Sequence, residues 1–191
     1  CSTDNTIDKI KDSKVNYLSL QFNLGYSSAL QSGFKYAVEK GYKYIVQFDG
    51  DGQHIAKEAK KLYHVGVTGR YDIVLGSRFI ERSGYSHPFA RMLDTKLFSM
   101  IIRIITGKMI YDPTTGFQFL TKRVFYRYSK MNNFPHFPDA NLLIEMLMLG
   151  YSIKEIPVAM RSRTEGVSMH GGVVKPIIYM ITDYTGGGYH V

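Results

Sequence analysis

An α/β fold with a mostly parallel central sheet flanked by helices is predicted by three features of the sequence. Short strand-like segments alternate with helix-like ones. Some of the strands, such as Tyr44-Ile45-Val46, look apolar enough to be buried on both faces, which is the mark of a parallel sheet covered by helices. The residues with the most chemical potential come directly after a strand, where open sheets of this kind place their ligands.

Strands are expected over residues 15–20, 44–48, 72–75 and 153–158, from short apolar runs bounded by turn residues. A helix is expected over 28–39, where Leu30, Phe34, Ala37 and Val38 share one face and Gly41 is placed to stop it. A second helix is expected over 140–149, with Asp139 as N-cap and Gly150 as C-cap. Between residues 88 and 110 apolar positions recur at helical spacing with Arg91, Lys96, Arg103 and Lys108 among them. That pattern fits either an interfacial helix resting on anionic lipid or an ordinary core-facing helix. Residues 175–184 raise the same question more weakly, and Gly186-Gly187-Gly188 reads as a frayed tail.

The 191 residues, 45% hydrophobic, suffice for one core, so residues 1–191 are read as a single domain. With 21% charged and 14% aromatic residues the chain lies outside the composition of disordered proteins. Its net charge of +8 favours anionic partners. The lysines and arginines are scattered and no nucleic-acid motif is present, so nucleic acid is not expected as a partner. The single Cys, at position 1, excludes an internal disulfide framework and fits a reducing compartment. The longest apolar stretch, 97–110, is interrupted by Arg103, Gly107 and Lys108 and falls short of the roughly 20 residues of a membrane span. Any membrane contact is therefore expected to be peripheral.

The run Asp49-Gly50-Asp51-Gly52-Gln53-His54 follows the strand at 44–48. Side chains two apart on extended backbone point the same way, so Asp49 and Asp51 can present two carboxylates beyond the strand end, with Gly50 leaving room for a ligand. Two hard oxygen donors without sulfur suit Mg²⁺ or Mn²⁺, whose remaining positions are usually filled by water and phosphate oxygens. An acidic turn is the competing reading of the same residues.

This run resembles the Asp-x-Asp-Gly-Gln-His signature of family 2 glycosyltransferases, particularly the branch of dolichyl-phosphate mannose synthases and polyprenyl-phosphate sugar transferases. Other segments are similar to the family's motifs and follow in its order: residues 1–6, Asn23 to Leu30, Gly76-Ser77-Arg78, Asp112 to Phe117, Phe137-Pro138-Asp139 and residues 161–168. The resemblance implies a GT-A-like fold, a nucleotide-sugar donor, inversion at the anomeric carbon, and Mg²⁺ or Mn²⁺ on Asp49 and Asp51 with Gln53 as a further ligand. It implies donor contacts from Ser2, Asn23, Gly25, Ser28, Gly50 and Asp51. Arg78 and Arg91 match positions that face an acceptor phosphate, and Arg161 or Arg163 lies in a loop that closes over the donor. Asp139 is the expected general base and Asp112 its competitor, although Asp139 also reads as a simple N-cap. Asn141 stands where relatives often carry Glu, and Met169 where they commonly carry Lys.

The chain starts inside the nucleotide loop, so the resemblance implies that the first βαβ unit of the family is absent and that the chain alone is inactive. The expected activity is transfer to a polyprenyl-phosphate acceptor by a cytoplasmic protein peripheral to the cytoplasmic face of an anionic membrane. A saccharide-extending transferase of cell-surface polysaccharide synthesis and a non-catalytic GT-A-like fragment are the alternatives.

Overall fold

The computed structural model describes residues 1–80 and 89–161, with the side chains of residues 89–94 excepted. In chain order the elements are α1 (Thr6–Asp12), α2 (Gly25–Glu39), β1 (Tyr44–Gln47), α3 (Ala56–Gly69), β2 (Ile73–Ser77), α4 (Phe89–Thr106), β3 (Gln118–Thr121), α5 (Lys122–Lys130), α6 (Ala140–Met148) and β4 (Ile153–Pro157). The strands form one sheet in the order β1-β3-β2-β4.

β2 pairs with β4 in parallel, while β3 lies antiparallel between β1 and β2. Three of the four described strands thus run in one direction, as expected of a mostly parallel sheet. The reversed β3 was not anticipated. Register places Gln47 opposite Gln118 and Tyr44 opposite Thr121, so the chain entering β3 arrives at the same end of the sheet where β1 and β2 finish. That arrangement carries residues 112–117 to the ends of β1 and β2.

Both faces are covered, because β2 alternates its apolar side chains between two cores. Ile73 and Leu75 pack with Phe34, Phe98, Ile102, Leu120, Phe125 and Leu143 beneath α2, α4, α5 and α6. Val74 packs with Leu62, Phe117, Phe119, Ile156 and Val158 beneath α3. Burying each such side chain contributes roughly 1.5–3 kcal/mol, which fixes β2 as the structural centre. β1 is only half buried, since among the described residues β3 is its one neighbour, and the two-sided burial expected of Tyr44-Ile45-Val46 belongs to β2 instead.

The expected strand at 15–20 does not form. Val15, Tyr17 and Leu18 are exposed, and no described strand lies beside them to complete backbone hydrogen bonds. The two expected helices are present, with Gly41 (φ +72°) and Gly150 (φ +77°) taking the left-handed conformation just beyond their ends. Asp139 stands at the N-cap position of α6 but its side chain makes no capping bond. The Asn141 side-chain oxygen takes over, accepting from the amides of Asp139 (3.1 Å) and Leu142 (2.9 Å). Asp139 is therefore not a simple N-cap.

α4 has the buried face of a core-facing helix and, beside it, an exposed face that mixes apolar and basic residues. Thr95, Phe98, Ser99 and Ile102 face the core at helical spacing, while Met100, Ile104 and Ile105, with Met109 just beyond the helix, are exposed beside Lys96, Arg103 and Lys108. Among the described residues no helix is long and apolar enough to cross a membrane. Residues 175–184 and the glycine run at 186–188 lie outside the described residues.

Candidate active site

The carboxyl end of the sheet gathers Asp49 after β1, Arg78 after β2, Asp112 and Gly116 before β3, Asp139 before α6 and Tyr26 from the first turn of α2. The Asp49 side chain is 40% exposed. The Tyr26 hydroxyl donates to Asp49 Oδ1 at 3.4 Å and accepts from the Gln47 side-chain amide at 3.4 Å. On the other side His54 Nε2 lies 3.5 Å from Asp49 Oδ2, with the imidazole 5% exposed and its ring 4.6 Å from that of Phe117. The carboxylate is therefore held from two directions.

Opposite Asp49 stands Gly116, and a Cβ there would lie 3.1 Å from Oδ2 and 3.3 Å from Oδ1 of the carboxylate. A bare backbone at this point keeps space open next to two acidic oxygens, which is what a hard divalent cation requires. Asp51 Oδ1 accepts from the Gln53 amide at 3.0 Å, closing the loop on itself. Among the described residues no three His, Cys, Asp or Glu side chains gather into a ligand set. The residues present fit a cation completed by phosphate oxygens and water rather than one enclosed by protein.

Gln53 is buried, and its side-chain amide donates to the Arg161 carbonyl at 3.5 Å while its own carbonyl accepts from the Arg161 amide at 2.9 Å. A β-bridge between His54 and Met160 extends the same seam. Gln53 thus joins the acidic loop to the start of the segment expected to cover the donor. Arg161 is exposed at that junction.

Arg78 and Asp112 form a buried, bidentate ion pair. Arg78 Nε and Nη2 donate to the two Asp112 oxygens at 2.8 and 2.7 Å, and the Arg78 backbone amide donates to the same carboxylate at 2.9 Å. Asp112 is fully buried and the Arg78 side chain is 13% exposed. Glu155 on β4 supports the pair from below, its carboxylate accepting from the amides of Tyr111 (2.8 Å) and Asp112 (2.6 Å). Burial pushes the Glu155 carboxyl above its ordinary value, against the opposing pull of those amides. Asp112 is therefore an anchor for Arg78, which disfavours it as a competing base. Asp112→Ala is expected to destabilise the fold by about 3–5 kcal/mol, because it strands a largely buried guanidinium. Urea denaturation of the variant measures this, and a loss under about 1 kcal/mol would mean that the pair is not buried in solution.

Asp139 is half-buried, and its carboxyl is pushed up to about 7, chiefly by burial, then by the Asp49 charge and to a smaller extent by Asp112, with Arg78 pulling it down. Burial first, and then the Asp49 and Asp139 charges, also raise the Tyr26 hydroxyl above its ordinary value. These couplings place Tyr26, Asp49, Arg78, Asp112 and Asp139 around one small volume. A carboxyl near neutrality, close to a second acid at the strand ends, makes Asp139 a candidate for proton transfer.

The remaining expected donor contacts are on and before α2 and at the amino terminus. The Asn23 side-chain oxygen accepts from the Gly25 amide at 3.1 Å, starting α2, and Ser28 lies one turn in. Ser27 next to it donates to the Pro135 carbonyl, tying α2 to the segment before Asp139. Ser2 is exposed, with the neighbouring Cys1 nitrogen bonded to the Leu20 carbonyl at 2.9 Å. Arg91 falls within α4, but its side chain lies outside the described residues, as does all of Arg163. Tyr26 and Glu155 were not anticipated. A tyrosine inside a glycine- and serine-rich segment carries no motif signal, whereas Glu155 stands between Ile153 and Pro157 on one face of β4, a visible irregularity.

Fold and site together define an α/β protein with a metal-compatible acidic loop at the carboxyl end of its sheet. The chain belongs to glycosyl transferase family 2, whose model matches residues 1–129. It is 23% identical over 175 residues to polyprenol monophosphomannose synthase of Mycolicibacterium smegmatis, covering 90% of this chain and 66% of that one. Glucosyl-3-phosphoglycerate synthase of Mycobacterium tuberculosis, solved with phosphoglyceric acid, shares the fold with a TM-score of 0.70 at 16% identity, covering 99% of this chain and 67% of the other. The same enzyme solved with Mn²⁺ and uridine-diphosphate-glucose gives 0.64 at 14% identity, with the same coverage. The chain thus spans about two thirds of the length of these relatives.

Proposed function

We propose that this chain is the catalytic portion of an inverting, metal-dependent glycosyltransferase that moves a sugar from a nucleotide-sugar donor to a polyprenyl phosphate at the cytoplasmic face of a membrane. The observation that carries the reading is the convergence of Asp49, Asp139 and the Arg78–Asp112 pair at one end of the sheet, with the Asp139 carboxyl near neutrality.

Asp49 and Asp51 would hold Mg²⁺ or Mn²⁺, with Gln53 closing the loop behind them. Such an ion supplies positive charge to a departing nucleoside diphosphate. Tyr26 and His54 fix the Asp49 carboxylate, and Gly116 keeps the adjoining space open. Asn23, Gly25, Ser28, Gly50 and Ser2 would contact the donor. Arg161, strapped to Gln53, stands where a covering segment begins. Asp139 takes the proton of a hydroxyl acceptor as the new glycosidic bond forms. An acceptor phosphate already ionised needs no such help, and Asp139 then acts mainly through its charge.

The acceptor reading is supported by the named relative that handles polyprenol and by α4, which presents Met100, Ile104 and Ile105 to solvent beside Lys96 and Arg103. Each cation near an anionic surface contributes about 1 kcal/mol, so a few together give reversible docking. Because the Arg78 fork is taken up by Asp112, recognition of the acceptor phosphate falls more to Arg91, Lys96 and Arg103 than to Arg78.

The test compares two acceptors with a matched donor and the full-length protein: polyprenyl phosphate in anionic vesicles, and soluble oligosaccharides. Transfer to the lipid phosphate, lowered at least about tenfold by Lys96→Gln with Arg103→Gln, is the expected result. Transfer only to the oligosaccharide would replace this reading with a saccharide-extending transferase. No transfer to either would leave a non-catalytic GT-A-like protein.

A further inference from the structure

α5 carries four positive side chains and no acidic one in its nine residues, Lys122, Arg123, Arg127 and Lys130. A solvated helix face usually mixes the two signs, so a face of one sign calls for a reason. Arg123, Tyr126, Arg127 and Lys130 recur at i, i+3, i+4 and i+7 and so form one exposed stripe, opposite the buried Val124, Phe125, Tyr128 and Ser129. The stripe borders a broad, open depression. With Lys122 and Tyr151 it lines a hollow of about 700 Å³, within the size range of small-molecule sites.

Two of the cations are held in place. Arg127 is paired with Glu145 at 2.7 Å, and the Arg123 guanidinium lies 4.1 Å from the centre of the Tyr151 ring with Asp72 at 3.7 Å. Lys122 and Lys130 have no ion pair among the described residues, and they stand about 12 Å apart along the helix axis. Two carboxylates therefore answer four cations, leaving a hollow with net positive charge, fixed guanidinium planes and two exposed ammonium groups at its ends, that of Lys130 5.7 Å from the centre of the Tyr126 ring.

We infer that this hollow is a second ligand site, specific for a soluble phosphate-bearing anion such as an oligophosphate or phosphate ester. Its Lys122 end lies at the opposite end of the sheet from the active site. β3 leaves the carboxyl end at Gln118 and reaches the amino end of β1 at Thr121, where Lys122 begins α5 and its amide bonds the Lys43 carbonyl at 2.9 Å. A membrane lying against this flank would hold Asp49 and Asp139 away from the lipid, which favours a soluble ligand over anionic headgroups. The inference goes beyond the proposed transferase reaction and does not depend on it.

Calorimetric titration of the full chain with inorganic tripolyphosphate, in EDTA to silence any metal-dependent donor site, tests the inference. The expected result is one saturable site, weakened at least tenfold in Lys122→Gln with Lys130→Gln, at an unchanged thermal midpoint since both residues are exposed. Co-sedimentation with phosphatidylglycerol vesicles forms the second arm. Vesicle binding that needs the two lysines, without saturable tripolyphosphate binding, would overturn the inference in favour of a lipid-facing patch. Tripolyphosphate binding indifferent to both lysines, or absent, would leave α5 an ordinary solvated face and overturn it equally.

Discussion

Asp139→Asn is expected to lower transfer to a hydroxyl acceptor by about 10²–10⁴-fold while making the folded chain more stable at pH 8. The two effects have one origin. A carboxyl at about 7 in place of its ordinary 3.8 binds its proton more tightly in the folded state than in the unfolded one. Its contribution to stability is therefore highest below the unfolded value, falls as pH rises between about 4 and 7, and stays low above that. The full penalty would be about 4 kcal/mol, and solvent on the open side of the half-buried group reduces it to about 1–3 kcal/mol. Asn keeps the shape without the charge, so the variant escapes the penalty. Denaturant titration of parent and variant at pH 4 and pH 8 reads the difference, which should be near zero at the first and largest at the second. A gap that is the same at both would show that Asp139 titrates normally. Saturating Mg²⁺ should narrow the gap at pH 8, because an ion at Asp49 offsets the second-largest cause of the displacement. Undiminished transfer to a hydroxyl acceptor would assign the proton to another group.

How much of this was legible in the sequence depends on whether a residue's role is local. The helices at 28–39 and 140–149 announced themselves by periodicity and by Gly41 and Gly150, signals that lie within a few residues of what they control. The strands of β1, β2 and β4 were equally visible. β3 was not, because four residues after a turn, Gln118-Phe119-Leu120-Thr121, are too short for alternation to stand out, and their order in the sheet is set by pairing with β1 and β2. The apolar run at 15–20 erred in the other direction, since a strand needs a neighbour that no local pattern supplies. In the candidate site, Asp49, Asp51 and Asp139 were named from motif order, and Asp49 and Asp139 lie close enough in the folded chain to interact through their charges. The partnership that redefines Arg78 and Asp112 spans 34 positions and depends on Glu155, 43 positions further on, so it exists only in the folded chain. The half-exposed character of α4 likewise emerged once Phe98 and Ile102 were seen to occupy the core and Ile104 and Ile105 were left outside.

Asp49→Ala and Asp51→Ala are each expected to abolish metal-dependent donor binding with little change in stability, since both residues lie in the loop beyond β1 and neither belongs to the two apolar cores. Removing one of two anionic oxygen donors from a site that relies on water and phosphate for the rest leaves too little charge to hold a hard cation against its hydration. Loss of a charge could act through the general field as well as through coordination, and Gly116→Ala separates the two. The added methyl carbon would stand 3.1 Å from Asp49 Oδ2, closer than most real contacts of this kind, and it changes no charge. If Asp49 coordinates the ion, Gly116→Ala should weaken Mn²⁺ binding at least about tenfold, a change of about 1.4 kcal/mol, with the Arg78–Asp112 pair untouched. If Asp49 acts only through its field, the methyl group should be nearly silent while Asp49→Asn still impairs binding. Mn²⁺ binding followed by electron paramagnetic resonance, with and without a nucleotide-sugar, distinguishes these outcomes. Parent-like affinity in both Asp49→Ala and Gly116→Ala would remove the metal from this loop altogether.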